Sequence, residues 1–221
     1  MKIFVACEYS GIVRDAFENM GWDAWSCDLQ PTESVQTLFS NKHIQGDVIK
    51  LIRSSWLKKY KFDLVVGFPP CTYLSYAGMS HWNKPGRIKK RLEALEFFRK
   101  LYELPVKHIC LENPKSCVSP VIAKYTQIIQ PYYFGDNCLK TTCLWLKNLP
   151  LLEYHAEKTL FNNDITVVKS CYYHANCGSR STAKMKDVVY KGTSNSKERS
   201  RTFHGIANAM AEQWTEYLKN L

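Results

Sequence analysis

The chain has 221 residues, a hydrophobic content of 45% and a formal net charge of +10. This length fits one α/β domain, with or without a modest insertion, and is sufficient to bury a sizeable core. No stretch approaches the roughly 20 apolar residues of a membrane span, and the amino terminus is too short for a secretory signal, which predicts a cytoplasmic protein (in the host cytoplasm if the source is viral) with no membrane partner.

The predicted elements of the first part alternate between strands and helices. In chain order they are a strand over residues 2–6, a helix over 12–20, a strand over 22–27 that ends at Asp28, a strand before Gly46, a helix over 48–60 and a buried strand over 62–67. Strand-like and helix-like segments that alternate in this way are typical of a mostly parallel sheet. The sequence therefore predicts an α/β fold of three layers.

The second part continues the pattern and then departs from it. The predicted elements are a helix from Arg87 to 102, strands over 107–111, 127–134 and 142–146, and a last helix over 206–218. Apolar spacing in the first of these helices places Ile88, Leu92, Leu95, Phe98 and Tyr102 on its buried face, with the basic side outward. Residues 150–200 are polar and Lys-rich, which predicts an irregular flap. We expect residues 1–221 to form one domain, with helix 206–218 packed back on its core.

The positive charge favours a polyanionic partner, most simply nucleic acid, although many basic proteins bind no polyanion. The charges fall in two clusters. One comprises Lys84, Arg87, Lys89, Lys90 and Arg91, and the other comprises Lys184, Lys186, Lys191, Lys197, Arg199 and Arg201.

Short motifs after the first three predicted strands describe a nucleoside pocket. In Tyr9-Ser10-Gly11, the glycine allows close approach of a ligand and the following helix offers N–H donors; a plain turn is the alternative. Asp28 lies where nucleoside-binding sheets place an acid that accepts from ribose hydroxyls. Asp47 can accept from an adenine amine. Either acid alone is more often a helix cap or a turn residue.

Gly67-Phe68-Pro69-Pro70-Cys71-Thr72 follows a buried strand directly. Two prolines fix φ on the approach and remove two backbone donors, so the thiol would be held in a preset place. This place is beyond the carboxyl end of a strand, where open α/β sheets bind ligands. Cysteine is usually a small buried hydrophobe, but here the position favours a nucleophile.

Glu112-Asn113-Pro114 follows the next strand and supplies a carboxyl group; a helix cap is the alternative role for Glu112. A thiolate that adds to carbon 6 of a pyrimidine needs an acid at ring nitrogen 3 to absorb the developing charge. Carbon 5 then becomes a nucleophile toward an electrophilic methyl group. The pairing of Cys71 with Glu112 fits this covalent and acid-assisted chemistry.

At these residues the chain resembles the cytosine carbon-5 DNA methyltransferases, especially short forms found in bacteriophage genomes. The resemblance covers residues 1–149 and 199–214. It implies a Rossmann-like class I methyltransferase fold, S-adenosylmethionine as the cofactor and DNA, duplex or single-stranded, as the partner. It also implies Cys71 as the nucleophile and Glu112 as the catalytic acid. Residues 203–211 are similar to the final family motif, whose helix packs against the cofactor site.

The same resemblance divides the remaining site residues between cofactor and substrate. It assigns Tyr9, Ser10, Gly11, Asp28, Asp47 and Pro69 to the cofactor pocket, and Pro70, Tyr73, Asn113, Lys140, Arg199 and Arg201 to the substrate. The family's Gln-x-Arg-x-Arg strand is replaced here by Lys140-Thr141-Thr142-Cys143. Lys140, with Arg199 or Arg201, is therefore assigned the roles of the two arginines. The long target-recognition segment of the family is missing, so any sequence selectivity would come from residues 150–200.

Three substrates or roles stay open. Duplex DNA would require the target base to leave the stack, at a cost on the order of a few kcal/mol, and Tyr73, Tyr76 and Trp82 are either stacking partners for that base or ordinary loop anchors. A free pyrimidine nucleotide or a modified base is the second possibility. A catalytically idle nucleic-acid binder is the third. A monomer is expected.

Nine cysteines, an odd number spread unevenly, favour reduced thiols over a disulfide framework. Cys171, His174 and Cys177 are spaced closely enough to share a zinc ion, with Cys138 or Cys143 as a fourth ligand. The usual paired spacing is absent, so we expect no metal.

Overall fold

A single mixed sheet forms the centre of the structure, a computed structural model that describes residues 1–35, 42–136, 140–154 and 201–221. Its strands are β1 (Lys2–Ala6), β2 (Asp23–Asp28), β3 (His43–Gln45), β4 (Leu64–Gly67), β5 (His108–Asn113), β6 (Gln127–Ile129) and β7 (Thr142–Lys147). The strand order is β3-β2-β1-β4-β5-β7-β6. The first five strands in this order are parallel, and β7 runs antiparallel to both of its neighbours.

Helices cover both faces of the sheet. They are α1 (Ile12–Asn19), α2 (Val48–Arg53), α3 (Ser55–Tyr60), α4 (Arg87–Tyr102), α5 (Val118–Val121) and α6 (His204–Lys219), with short 3₁₀ turns at Tyr76–His81 and Pro131–Phe134. Alternate residues of β1 serve the two faces, because successive side chains of a strand point in opposite directions. Ile3 and Val5 pack in the cluster that contains α1 and α6, whereas Phe4 and Ala6 pack in the cluster that contains α4. The predicted three-layer, mostly parallel Rossmann-like fold is confirmed.

The carboxyl-terminal helix, α6, lies against α1 on the face of the sheet to which Ile3 and Val5 point. Trp214 is fully buried there, and its indole Nε1 donates to the carbonyl oxygen of Pro150 over 3.2 Å. The Nε1 of Trp22 donates to the hydroxyl of Thr215 over 2.7 Å. Ile206, Met210 and Trp214 of this helix pack in the same cluster as Val13 and Phe17 of α1. None of the helices in the described ranges has the length and apolar character needed to cross a bilayer.

Three predicted elements differ from the structure. The helix over 48–60 is two helices, because Ser54 is extended (φ −72°, ψ 167°) and its hydroxyl caps α3 by accepting from Trp56 N. The strand over 127–134 ends at Ile129, since Pro131 has no N–H for the ladder and begins a 3₁₀ turn.

The apolar stripe of α4 is the third difference. Ile88 and Leu92 are 61% and 62% exposed, whereas Leu95, Phe98 and Leu101 are buried. Only the second half of the helix therefore packs against the sheet. Helical periodicity identified the face correctly but could not tell how far along the helix that face is covered.

Gly205, in the first turn of α6, allows close contact with the chain before β7. Its N–H donates to the carboxylate of Asp136 over 3.0 Å, and a Cβ at this position would overlap the carbonyl oxygen of Phe134.

Gly→Ala inside a helix normally stabilises by about 1 kcal/mol. We expect Gly205→Ala instead to lower the free energy of unfolding by about 1–3 kcal/mol, because backbone must shift to accommodate the methyl group. Urea denaturation measures the change. Asn208→Ala, at an exposed position of the same helix, is the control and should be neutral or slightly stabilising; equal behaviour of the two variants would contradict the packing argument.

Candidate active site

The predicted site motifs meet at one edge of the sheet. Ala6 at the end of β1 pairs with Cys27 of β2 and with Gly67 of β4, and Gly67 pairs in turn with Leu111 of β5. Because these strands are parallel, the loops that follow them leave the sheet side by side. The structure therefore brings the predicted cofactor motifs and the predicted catalytic motifs to the same edge.

Cys71 lies on the surface of the loop that follows β4. Gly67 allows this loop to begin tightly packed, since a Cβ there would lie 2.7 Å from Cδ2 of Leu111. Pro69 is buried, whereas Pro70, Cys71 and Thr72 are exposed. The Cys71 carbonyl accepts from Leu74 N (3.0 Å) and Ser75 N (2.9 Å), which closes a turn behind the cysteine. The thiol-bearing residue is thus presented outward, as a nucleophile must be.

Asn113 connects this loop to the end of β5. Its side chain is 1% exposed, and its Nδ2 donates to the carbonyl oxygen of Pro69 over 2.7 Å. Farther out, Tyr76 N donates to Lys115 O and Cys117 N donates to Leu74 O. The loops after β4 and β5 are therefore joined along their length. The structure shows Asn113 as a loop clamp; its predicted contact with substrate stays a prediction.

Glu112 opens into a cleft between β5 and the start of α6. The cleft is lined by Phe68, Glu112, Lys140, Thr142, Thr202, Phe203, Ile206 and Met210. Burial raises the pKa of the Glu112 carboxyl, and the positive charge of Lys140 opposes this shift. A carboxyl group in this setting keeps its proton to a higher pH than an exposed glutamate, which suits an acid catalyst.

Lys140 shares the cleft with Glu112. Its Nζ lies 5.7 Å from the ring centroid of Phe203. Phe68, the residue between Gly67 and Pro69, also lines the cleft. The structure thus places one predicted substrate residue, Lys140, in the same cleft as the predicted acid. Phe68, three residues before Cys71, belongs to the loop of the predicted nucleophile.

The loop between β1 and α1, which carries Tyr9, Ser10 and Gly11, differs from the prediction in how the first amides of α1 are bonded. Gly11 has φ 78°, and a Cβ there would lie 2.6 Å from Cβ of Ser34, so glycine is required. Glu8, which the sequence reading did not select, is 3% exposed and accepts from Val13 N (2.6 Å) and Arg14 N (3.2 Å). The prediction that these helix amides await a ligand is therefore wrong.

Ser10 completes this closed arrangement, because its hydroxyl accepts from Ile12 N at 3.4 Å. An acid at a strand end just before a helix is the sequence signal for Glu8, since a carboxylate is stabilised by a helix amino terminus. Burial nevertheless raises the pKa of Glu8 to about 7, against the lowering effect of the two N–H donors and of Arg14.

Asp28 and Asp47 lie at the ends of β2 and β3, and Gly46 N donates to Asp28 O over 2.8 Å. Asp28 Oδ1 accepts from Gln30 N (2.9 Å), and Asp47 Oδ1 accepts from Ile49 N (2.8 Å), so both also have the turn and cap roles that were the alternatives. Burial raises the pKa of the Cys7 thiol, and Asp28, Cys27 and Asp47 raise it further. Asp28 pairs with Gln45 at the end of β3, so the two acids follow neighbouring strands.

The remaining predicted residues fall in three places. Tyr9 is buried, and its side chain bonds to Arg201. Arg201 also donates to Oε2 of Glu33 over 2.5 Å, so it lies beside the loop Tyr9–Gly11. Tyr73 is half-buried beneath Arg87 and Lys90. Arg199, Cys138, Cys171, His174 and Cys177 lie outside the described residues. Within the described ranges no group of three or more His, Cys, Asp or Glu residues is arranged to hold a metal ion.

No protein-family model and no curated protein matches the chain. Solved structures do resemble it. A protein described as a DNA modification methyltransferase encoded within an E. coli prophage shares 14% identity over 68% of this chain and 49% of its own, with a TM-score of 0.45. The Entamoeba histolytica methyltransferase EhMeth shares 19% identity over 71% and 57%, with a TM-score of 0.49. The S. pombe Dnmt2 methyltransferase shares 16% over 77% and 59%, with a TM-score of 0.45.

This chain thus spans about half to three fifths of the length of those structures. At these identities and TM-scores, no conclusion about the activity or substrate of this chain follows from the similarity.

Glu8 links the stability of this fold to pH. Because its pKa in the folded protein is about 7, above the ordinary 4.5, the folded state binds this proton more tightly than the unfolded chain does. The stability that Glu8 contributes is therefore fully present below pH 4.5 and is lost as pH rises through 7, by about 3 kcal/mol in total.

Glu8→Gln should remove this loss. Urea denaturation at low and at slightly alkaline pH measures it, with Glu212→Gln on the exposed face of α6 as the control; an equal pH dependence in wild type and Glu8→Gln would refute the assignment.

Proposed function

We propose that the protein is an S-adenosylmethionine-dependent methyltransferase that acts on carbon 5 of cytosine in DNA. The observation that carries this proposal is the hydrogen bond of 2.7 Å from Asn113 to the carbonyl oxygen of Pro69, which joins the loop of the exposed Cys71 to the end of β5, where Glu112 lies. A nucleophile and an acid on two joined segments are what covalent activation of a pyrimidine ring requires.

In the proposed reaction the Cys71 sulfur forms a bond to carbon 6 of the cytosine ring. The electron pair of the ring moves toward nitrogen 3, where the Glu112 carboxyl supplies a proton. The raised pKa of Glu112 favours the protonated form that this step consumes. Carbon 5 thereby becomes the nucleophile and would take the methyl group of a bound donor, whose sulfur would leave with the electron pair of the broken bond. Loss of the carbon 5 proton to a base, return of the nitrogen 3 proton to the Glu112 carboxylate and release of the sulfur from carbon 6 then restore the aromatic ring and the free cysteine.

The residues at the ends of β1, β2 and β3 fit S-adenosylmethionine, which when bound supplies an electrophilic methyl group. Asp28 and Asp47 are acceptors suited to ribose hydroxyls and an adenine amine, and they follow the neighbouring strands β2 and β3 at the carboxyl end of the sheet, where such ligands bind. Tyr9 is buried in the loop after β1 and would line this pocket. Arg201, just before α6, hydrogen-bonds to the Tyr9 side chain. Pro69 is buried at the neighbouring loop. Because Glu8 occupies the first amides of α1, we expect the cofactor to be held by side chains and loop carbonyls rather than by those amides.

Cys71→Ser should abolish methyl transfer and leave cofactor affinity nearly unchanged, because a serine hydroxyl is a far weaker nucleophile than a thiolate. Mass spectrometry after incubation with a 5-fluorocytosine oligonucleotide and cofactor measures the covalent step, since fluorine at carbon 5 blocks release of the enzyme. An adduct on Cys71 is expected in wild type and in Cys117→Ala, the control at a buried cysteine. Full turnover by Cys71→Ser would remove the residue from the mechanism. Labelled methyl transfer to free cytidine nucleotides but not to DNA would move the substrate to the nucleotide class.

Glu112→Gln should lower the transfer rate by roughly 10²–10⁴-fold, because the amide cannot deliver a proton to nitrogen 3. The wild-type rate should fall as pH rises through the raised pKa of Glu112, since only the protonated form donates. The variant should lack this limb of the pH profile while its thermal unfolding stays close to wild type. A wild-type rate in Glu112→Gln would reassign the residue to a structural role.

A further inference from the structure

The amino-terminal half of α4 carries positive charge that the described part of the protein does not neutralise. Arg87, Lys89 and Lys90 in this helix, with Lys84 three residues before it, form the group that we call the α4 ridge. None of them pairs with a carboxylate of the described residues. The other half of the helix differs. There Glu96 pairs with both Arg99 and Lys100 at 3.3 Å. The unneutralised charge is therefore confined to one end of the helix.

That end of α4 lies beside the loop of the proposed nucleophile. Cζ of Arg87 is 4.8 Å, and Nζ of Lys90 is 5.5 Å, from the ring centroid of Tyr73, which is two residues beyond Cys71. A cation held over a ring face is positioned without being neutralised, and an arginine in this arrangement keeps its in-plane N–H groups for an anion. The Tyr73 ring therefore holds two ridge cations near Cys71 in a form that can still bind phosphate.

Arg91 is close in sequence but has a different role. Its Cζ lies 4.0 Å from the ring centroid of Trp82, and its Nη2 donates to the carbonyl oxygen of that residue over 3.2 Å. Arg91 therefore fastens the loop onto α4, and the ridge residues stand on the surface that this fastening creates.

Exposed apolar side chains lie among the ridge cations. Ile88 and Leu92, one turn apart, are 61% and 62% exposed, and Met79 in the preceding loop is 58% exposed. A helix face that only meets water has no need of these side chains. Cations interleaved with apolar and aromatic groups are typical of surfaces that follow a nucleic-acid backbone and contact exposed bases.

We propose that the α4 ridge binds the backbone phosphates of the DNA strand next to the target nucleotide. The choice of DNA as the ligand rests on the proposed function, whereas the position and the charge of the ridge do not. Phosphates on Arg87 and Lys90 would set the strand against the loop of Cys71. The same contacts would supply part of the free energy that extrusion of the target base requires.

The ridge is tested by the salt dependence of DNA binding. Fluorescence anisotropy with a short labelled duplex gives the slope of the logarithm of affinity against the logarithm of salt concentration. Each phosphate contact adds about 0.9 to the magnitude of this slope. We expect Arg87→Gln/Lys90→Gln to reduce its magnitude by about 2.

Lys124→Gln/Lys219→Gln removes the same net charge from exposed positions elsewhere and should keep the wild-type slope. Equal slopes in the two double variants would overturn the ridge. Near-wild-type thermal unfolding of both variants ensures that the slopes report on binding.

The 5-fluorocytosine adduct separates the two proposals, because it is formed at Cys71 and can be measured at low salt. A Cys71 adduct in wild type together with equal slopes refutes the ridge and leaves the proposed function standing. A ridge-dependent slope without any adduct supports the ridge as a phosphate surface and counts against the methyltransferase chemistry.

Discussion

The hydrogen bond from Asn113 Nδ2 to Pro69 O is the contact on which the arrangement of the site depends. Pro69 and Pro70 have no backbone N–H, so the two residues before Cys71 cannot fasten this part of the loop through amides of their own. The Pro69 carbonyl is buried with its residue, and a buried carbonyl without a donor costs about 1–3 kcal/mol. Asn113, at the end of β5, supplies that donor. The position of the thiol is consequently set by the neighbouring strand as well as by its own loop.

Glu8 and Glu112 lie near the same edge of the sheet, and both have a raised pKa, but their surroundings differ. Glu8 is enclosed, with Val13 N and Arg14 N as donors, and its role is to complete the first turn of α1. Glu112 also has a raised pKa, but it opens into a cleft with Lys140 and Phe68. Burial acts on both carboxyl groups in the same direction. Exposure distinguishes them, since Glu8 is 3% exposed, whereas Glu112 is partly exposed and lines the cleft.

The sequence predicted most of the sheet, because buried parallel strands are short apolar runs bounded by turn residues. It failed where a tertiary contact decided the outcome. The break at Ser54 satisfies ordinary helix periodicity on both sides and is visible only in the backbone angles. The exposure of Ile88 and Leu92 depends on how far α4 extends beyond the sheet. The clamp role of Asn113 was missed because it acts on a carbonyl 44 positions away that only the folded chain brings within reach. Glu8 was missed although its position just before a helix is a local signal.

By itself, the sequence determined the α/β alternation, the proline-stiffened loop of Cys71 and the strand-end positions of Asp28, Asp47 and Glu112. These features are local, since they follow from apolar runs, from the fixed φ of proline and from the residue types at strand ends. Tertiary structure decided that the loops after β4 and β5 are joined. It also decided that Arg201 bonds to the side chains of Glu33 and Tyr9. Residues 168 positions apart, as Glu33 and Arg201 are, have no local signal that relates them. Their contact exists because α6 packs against α1, which brings the segment just before α6 to the loops that follow β1 and β2.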